Sequence, residues 1–300
     1  MTTSMSTPSA IRAAARVALV TCGEIPDLDP DDRLVLPALT GLGITATPAV
    51  WDDPAVDWSA FDLVVLRSAW DYAPRRDEFV AWTQRVPRLA NPAHVVRWNT
   101  DKRYLLQLQE AGAPVVPTEF VAPEESWRPA AAGEIVIKPT VSAGSLDTGR
   151  YDLAHDGQRD LAAAHVRRLR AAGRHVMVQP YLDAVDDHGE TALIWIGGHY
   201  SHAIRKGPIL TGPDEGVEGL YREEDISARE PSHAEREVAA KVLAALPYDL
   251  ADLLYVRVDL VPGPGGAPVL LELELTEPSL FFATDPAAAG RFAAAVADRL

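Results

Sequence analysis

Two neighbouring strand-like runs near the carboxyl end carry charged residues in step with the two-residue period of a β-strand. In the run 255–260, Tyr255, Arg257 and Asp259 share one face, and apolar residues share the other. In the run 271–275, Glu272 and Glu274 alternate with leucines, which are predicted to fill the opposite face. The Pro/Gly-rich segment between the runs is typical of a turn, so we predict an antiparallel pair.

This pairing would gather Arg257 and three carboxylates on one surface. Like charges that lie side by side repel each other, so such a surface is costly unless something binds there. Mg²⁺ takes a few carboxylates together with phosphate oxygens and water. Asp259, Glu272 and Glu274 are therefore candidate metal ligands. The alternative is a solvated acidic face on an edge hairpin.

The net charge of the chain limits the kinds of molecule that it can bind. The net charge is -15 over 300 residues, so nucleic acid and anionic membranes are disfavoured as partners. A small molecule bound at a local cationic site remains compatible with this charge. The single cysteine, Cys22, forms no intrachain disulfide, which fits a cytoplasmic protein. Residues 1–15 are predicted to be a flexible tail, and a homodimer is left open.

Strand and helix signals alternate in residues 16–95, which predicts a small parallel α/β unit. A helix is predicted over 99–112, capped by Asn99 or Thr100 and stopped at Gly112. Further strands and helices follow, including an antiparallel hairpin that turns at residues 197–198. The predicted fold class is thus mixed, with α/β and α+β parts.

Cationic side chains follow several of these predicted strands. Lys138 ends a strand and precedes a loop of small residues, whose backbone N–H groups can approach phosphate oxygens closely. The candidate loop residues are Ser142, Ala143, Gly144 and Ser145. Arg205 and Lys206 end a later strand and would suit a phosphate or a carboxylate. A flexible turn and an ordinary basic strand end are the alternatives.

The segment after the third predicted strand lies where ligands of parallel sheets usually bind. Its candidate substrate-binding residues are Arg67, Ser68, Trp70, Asp71 and Tyr72. Arg67 would clamp a carboxylate in this interpretation. In the alternative interpretation, the segment packs between domains and Trp70 fills a core position.

The order of these pieces resembles the ATP-grasp superfamily. Asp-Lys near a helix start is followed by Ile-Lys-Pro with a small-residue loop, then Gln-Pro-Tyr-Leu, Gly-Glu, Arg-x-Asp and Glu-x-Glu. The match runs from about Asn99 to Pro278 and implies an ATP-grasp fold whose two lobes clasp ATP. The expected divisions are a substrate domain at 16–95, a small lobe with a linker helix at 96–183, and a large lobe with the metal site at 184–300.

The resemblance also implies a role for each matching residue. Lys102 and Lys138 would hold the phosphates of ATP, and the loop from Ser142 would close over them. Gln179, Tyr181 and Leu182 would contact adenine, and Glu190 would bind the ribose. Arg257, assisted by Lys206, would stabilise the γ-phosphoryl group as it moves. Mg²⁺, with Mn²⁺ as an alternative, would bind at the three acids named above. Glu274 departs from relatives that have Asn there, which leaves the metal geometry open.

Several stretches, including Leu-Arg-Ser-Ala-Trp-Asp-Tyr and Glu-Leu-Glu-Leu-Thr-Glu-Pro-Ser, resemble the branch that contains the D-cycloserine biosynthetic cyclo-ligase. This resemblance implies an ADP-forming ligase that activates a carboxylate as an acyl phosphate for attack by nitrogen. Its expected substrate is a small amino-acid-like molecule, O-ureido-D-serine. Two alternatives stay open, which are a ligase that joins two molecules and a non-catalytic ATP-binding protein.

Overall fold

The structure, a computed structural model, describes residues 14–216, 219–221 and 224–300. Most of the predicted flexible tail, residues 1–13, lies outside these ranges. Within them the chain forms three β-sheets with helices packed against them. No helix in the described part of the chain is long and apolar enough to cross a lipid bilayer.

The first sheet is parallel and has the strand order β2-β1-β3-β4. Its elements are β1 (Arg16–Thr21), α1 (Val35–Gly41), β2 (Thr45–Val50), β3 (Leu63–Ser68), α2 (Arg76–Thr83) and β4 (Leu89–Ala90). Every residue of β3 is buried, as expected for a parallel strand that is covered on both faces. The predicted parallel α/β unit is confirmed.

Two short helices, α3 (Ala93–Asn99) and α4 (Tyr104–Glu110), replace the single helix predicted here. The predicted cap is wrong, because Asn99 ends α3. Its side chain donates to the carbonyl of Leu273 at 2.8 Å and accepts from the N–H of Leu275 at 2.7 Å. A side chain engaged by a neighbouring strand cannot cap α4. Lys102 consequently lies in the turn before α4 and not inside a helix.

The second sheet is antiparallel, with the strand order β5-β8-β6-β7. Its elements are β5 (Glu119–Val121), β6 (Glu134–Pro139), β7 (Gly149–Asp152), α5 (Asp156–Ala171) and β8 (Val176–Pro180). Helix α5 buries Val166 and Leu169 against this sheet in one apolar cluster. The sheet therefore has a core of its own, and the small-residue loop spans the gap between β6 and β7.

The third sheet is also antiparallel and has the order β11-β10-β9-β12-β13. Its elements are α6 (Ala184–His188), β9 (Glu190–Ile196), β10 (His199–Lys206), β11 (Ile226–Ala228), α7 (His233–Ala244), β12 (Tyr255–Pro262), β13 (Pro268–Glu274) and α8 (Ala288–Ala297). The predicted pairing of the two acidic strands is confirmed, since Arg257 lies opposite Glu274 and Asp259 lies opposite Glu272.

One leucine of β13 departs from the predicted alternation. The register shifts between Asp259 and Leu260, so that Leu260 pairs with Leu270 and Leu271 is left without a partner. A bulge of this kind turns one extra side chain out of the regular pattern. Leu273 is buried in the core as predicted, whereas Leu271 lines a cleft next to Glu272.

Asn91 links the end of the first sheet to the third sheet. Its fully buried side chain donates to the carbonyls of Tyr255 at 2.9 Å and Leu275 at 2.7 Å, and accepts from the N–H of Leu254 at 2.7 Å. We expect Asn91→Ala to lower the free energy of unfolding by about 2–4 kcal/mol, because three buried backbone groups lose their partner. Urea denaturation measures this loss. Gln84→Ala removes an exposed amide and serves as the control, and equal losses in the two variants would contradict the account.

Candidate active site

A cleft of about 580 Å³ is lined by residues of the second and third sheets and by loops of the first α/β unit. Three of the four lysines in the chain line it, and the fourth lies exposed on α7. The three lysines are Lys102, Lys138 and Lys206. All three are buried, together with Arg257 on β12. A buried cluster of cations is costly without anionic partners, so this end of the cleft suits phosphate groups.

The lysines are paired with the acids of the two carboxyl-terminal strands. The Nζ of Lys102 lies 3.1 Å from the Oε1 of Glu272, and the Nζ of Lys138 lies 4.0 Å from its Oε2. Burial lowers the pKa of Lys138, and the nearby charge of Lys102 lowers it further, while Glu272 opposes both. Burial would raise the pKa of Glu272, but the two lysines outweigh it and the pKa falls below its ordinary value.

Asp259 is held by two cations away from the cleft. Arg257 contacts it at 2.9 Å through Nε, and Lys206 contacts it at 2.7 Å through Nζ. Burial acts to raise the pKa of Asp259, but these two ion pairs hold it at about 2. Asp259 is therefore a fixed anion that positions Arg257 and Lys206, both of which face the cleft.

Glu274 has the opposite electrostatic environment. It forms an ion pair with Arg257, and it lines the cleft. Burial raises the pKa of Glu274 to about 7, because the Arg257 charge only partly offsets burial and the repulsion from Glu272 and Asp259. The pKa values of the two glutamates of β13 are thus shifted in opposite directions although the two side chains share one face of the strand.

The three predicted metal ligands are not assembled around a common point. Across the described ranges, no group of three or more His, Cys, Asp or Glu side chains is arranged to hold a metal ion. The reason is that Asp259 and Glu272 take basic residues as partners. Glu272 and Glu274 nevertheless fit a divalent cation by chemistry, since both offer hard carboxylate oxygens to the cleft.

The small-residue loop covers the cationic end. Ser142, Ala143, Gly144 and Ser145 all line the cleft, and the Nζ of Lys102 donates to the carbonyl of Ser142 at 2.7 Å. Asp147 of the same loop is held by Arg168 and Arg174, and Arg168 also contacts Asp214. Arginines near the end of α5 therefore fasten the loop to the segment around residue 214.

The predicted nucleoside-binding residues line the same cleft. They are Gln179, Tyr181, Leu182 and Glu190. The side chain of Gln179 is buried and donates to the hydroxyl of Thr118 at 2.9 Å. This hydrogen bond fixes the end of β8. Burial raises the pKa of Glu190, and Lys206 at 3.4 Å opposes this.

The structure separates the predicted substrate-binding residues into two groups. Trp70 and Tyr72 line the cleft, whereas Arg67, Ser68, Asp71 and Arg205 do not. Arg67 is fully buried in an ion pair with Asp32 at 2.7 Å, so the expectation that it clamps a carboxylate does not fit its position. Ser68 also bonds to Asp32, Asp71 accepts from Trp51, and Arg205 bonds to the carbonyl of His188.

Sequence reasoning missed several residues of the cleft. They include Asp29, Asp31, Tyr221, Glu277, Ser279 and Phe281. Glu277 carries a signal that could have been read, because it follows β13 just beyond the two predicted acids. The others come from loops, where no periodic pattern marks the side that a residue faces.

The raised pKa of Glu277 makes the free energy of unfolding depend on pH. Burial, reinforced by Glu274, raises its pKa from 4.5 to about 8, and a hydrogen bond from Tyr72 opposes this only in part. Between these values the folded protein binds more protons than the unfolded chain. The contribution of Glu277 to the free energy of unfolding therefore falls as the pH rises through this window.

Urea denaturation of metal-free protein at pH 5.5 and 8.5 measures this effect. We expect Glu277→Gln to lose less free energy of unfolding than the wild type between the two pH values. The difference should be about 1.4 kcal/mol for each pH unit of the measured range that lies between the two pKa values. Parallel losses in the two proteins would contradict the raised pKa.

The three sheets and the cleft define an ATP-grasp ligase. A crystal structure of D-cycloserine synthetase DcsG superposes with a TM-score of 0.83 at 41% identity, covering 95% of this chain and 99% of that one. The curated cycloserine biosynthesis protein DcsG of Streptomyces lavendulae is 44% identical over 95% of this chain and 98% of its own length. The chain therefore belongs to the DcsG family of ATP-grasp ligases.

One further comparison agrees with this membership, and another shows the same fold. The family model described as the N-terminal domain of D-cycloserine synthetase DcsG matches residues 17–91. A RimK-domain ATP-grasp protein from Sphaerobacter thermophilus, at 18% identity, has the same fold with a TM-score of 0.64 over 93% of this chain and 98% of that one. The chain is thus an ATP-using ligase that forms carbon–nitrogen bonds, as the sequence predicted.

Proposed function

We propose that this protein uses ATP to cyclise O-ureido-D-serine to D-cycloserine. The carboxylate of the substrate attacks the γ-phosphate of ATP, which gives an acyl phosphate and ADP. The ureido nitrogen that is bonded to oxygen then displaces inorganic phosphate and closes the ring. Water removes the carbamoyl group as carbamate, which breaks down to CO₂ and ammonia. The similarity to DcsG over nearly the whole chain supports this choice of substrate.

The observation that carries the proposal is the convergence of buried cations on one cleft. Lys102, Lys138, Lys206 and Arg257 lie together there, opposite glutamates that suit a divalent ion. In our proposal Lys102 and Lys138 hold the phosphates, and Arg257 with Lys206 stabilises the charge that develops on the transferred phosphoryl group. The strand end at Gln179, with Tyr181 and Leu182, would contact adenine, and Glu190 would bind the ribose.

We assign Mg²⁺, or Mn²⁺ in its place, to Glu272 and Glu274. Asp259, the third predicted ligand, is paired with Arg257 and Lys206 and instead positions these two cations. When bound, the ion neutralises phosphate charge. The loop 142–149 would exclude water, because an acyl phosphate hydrolyses if water reaches it. A cytoplasmic location and a homodimer stay predictions.

Phosphate release from Mg-ATP tests the proposal. O-ureido-D-serine is compared with free amino acids, offered singly and in pairs, for the wild type and Glu272→Ala. Glu237→Ala on the surface of α7 is the matched control. We expect turnover with the ureido compound alone, lost in Glu272→Ala and retained in Glu237→Ala. Turnover only with pairs of amino acids would make the protein a joining ligase.

A further inference from the structure

The cleft carries acidic and aromatic side chains besides its cations. This acidic and aromatic group comprises Asp29, Asp31, Trp70, Tyr72, Tyr221 and Glu277. A zwitterionic substrate would therefore find both cations and anions along the cleft. The cations suit phosphate groups, so the acids of this group need an assigned partner of their own.

Glu277 is the acid of this group with the most unused acceptor capacity. Asp31 already accepts the N–H groups of Phe282 and Ala283, each at 2.8 Å. Asp29 accepts the N–H of Asp31 at 2.9 Å and contacts the hydroxyl of Tyr221 at 3.5 Å. Glu277 receives a hydrogen bond from the Tyr72 hydroxyl. The charge of Lys102 acts on it and lowers its pKa, but Lys102 is paired with Glu272, and no cation among residues 14–216, 219–221 and 224–300 forms an ion pair with Glu277.

The carboxylate of Glu277 is nevertheless closely confined. The residue is only 8% exposed, and it faces the cleft. Burying a carboxylate without a cationic partner is costly, and its raised pKa, described above, is consistent with that cost. A cation that enters the cleft would offset this cost.

The backbone of residues 277–279 is fixed by three side chains from other parts of the chain. Trp70 donates through Nε1 to the carbonyl of Glu277 at 2.9 Å, and Arg67 donates to that of Pro278 at 2.8 Å. Arg257 donates to the carbonyl of Ser279 at 3.0 Å. A side chain that rises from a backbone fixed in this way loses less freedom when it binds a ligand, which favours specific recognition.

We propose that Glu277 binds the α-ammonium group of the substrate, with the Tyr72 hydroxyl orienting its carboxylate. This inference rests on the proposed function, because it places an amino acid in the cleft. The ammonium at Glu277 would direct the substrate carboxylate toward the cations of the cleft. Glu277 then selects amino acids over analogues that lack the amino group, and Arg67 and Trp70 act as positioning residues.

Equilibrium binding tests this assignment independently of turnover. Wild type and Glu277→Gln, each saturated with β,γ-methylene-ATP and Mg²⁺, are titrated calorimetrically with O-ureido-D-serine and with its analogue that has hydrogen in place of the α-amino group. We expect the wild type to bind the analogue roughly 10- to 100-fold more weakly, as for loss of a hydrogen bond between charged groups. Glu277→Gln should bind the two compounds with nearly equal affinity, and Glu237→Gln should behave as the wild type does.

Each other outcome overturns the assignment. An equal preference for the amino compound in wild type and Glu277→Gln, with normal wild-type turnover, would overturn the role of Glu277 and leave the proposed function standing. A wild type that binds neither compound and turns neither over would overturn both. If Glu277→Gln fails to fold, Tyr72→Phe replaces it. A Tyr72→Phe protein that is folded and keeps the full wild-type preference would overturn the proposal.

Discussion

Lys138→Met should lower kcat/KM for ATP at least about a hundredfold. Lys138 is buried in the cleft beside the acids of β13, where an electrostatic contact to a moving phosphoryl group is worth far more than in water. Methionine keeps the length and the apolar part of the side chain but removes the charge. Steady-state kinetics of phosphate release, with the amino-acid substrate saturating, measures the effect.

The same substitution should leave the free energy of unfolding unchanged or raise it. Burial lowers the pKa of Lys138, so its charge is a cost to the folded state that methionine does not carry. Lys241→Met, at the exposed lysine of α7, is the matched control and should leave kcat/KM unaltered. A Lys138→Met protein with wild-type kinetics would remove this residue from the phosphate site.

Gly144→Ala should be the second most damaging change. The φ angle of Gly144 is +58°, and an added Cβ would lie 2.0 Å from the carbonyl oxygen of Leu220 and 2.8 Å from the Cα of Tyr221. Because these neighbours are backbone atoms, the loop must move away from them and reopen the cleft. We expect kcat/KM to fall roughly tenfold or more, as for other disturbed closing loops.

Gly173→Ala separates backbone strain from loop displacement. Gly173 has a φ angle of +73°, but an added Cβ would meet nothing within 4 Å. This variant should lose about 1 kcal/mol of unfolding free energy and keep its kinetics. Equal kinetic losses in the two variants would show that strain alone explains the effect of Gly144→Ala.

Periodic patterns in the sequence correctly predicted the pairing of the two acidic strands and the faces of β12. The alternation of Arg257 and Asp259 with valines predicted the faces of β12 correctly. The run of glycines and prolines predicted that β13 pairs with it antiparallel. Local alternation is enough here because one face of each strand packs on a core. The resemblance to ATP-grasp ligases, read from the order of short motifs, gave the class.

Residues whose environment depends on distant segments were beyond sequence reasoning. Arg67 lies at the carboxyl end of a parallel strand, as a ligand-binding residue would, yet its guanidinium bonds to Asp32 and to the carbonyl of Pro278. Leu271 faces the cleft only because of a register shift on the neighbouring strand. The partners of Arg67 and the register shift beside Leu271 are not fixed by spacing along the chain, so periodicity could not reveal them.

The interpretation of the first α/β unit changes with these contacts. The sequence predicts that Arg67, Ser68, Trp70, Asp71 and Tyr72 bind substrate, with packing between domains as the alternative. In the structure only Trp70 and Tyr72 reach the cleft, while Arg67 and Trp70 hold the backbone of residues 277 and 278. This unit therefore contributes to the site mainly by fixing the segment that follows β13.

In the proposed mechanism, ATP phosphorylates the carboxylate of the substrate. Turnover of O-ureido-D-serine with ¹⁸O in both carboxylate oxygens tests this step directly, followed by mass spectrometry of the released phosphate. We expect one ¹⁸O atom in each phosphate, because the oxygen that attacks the γ-phosphorus leaves with it when nitrogen displaces phosphate. Unlabelled phosphate accompanying ring closure would contradict the acyl phosphate and the role assigned to this cleft.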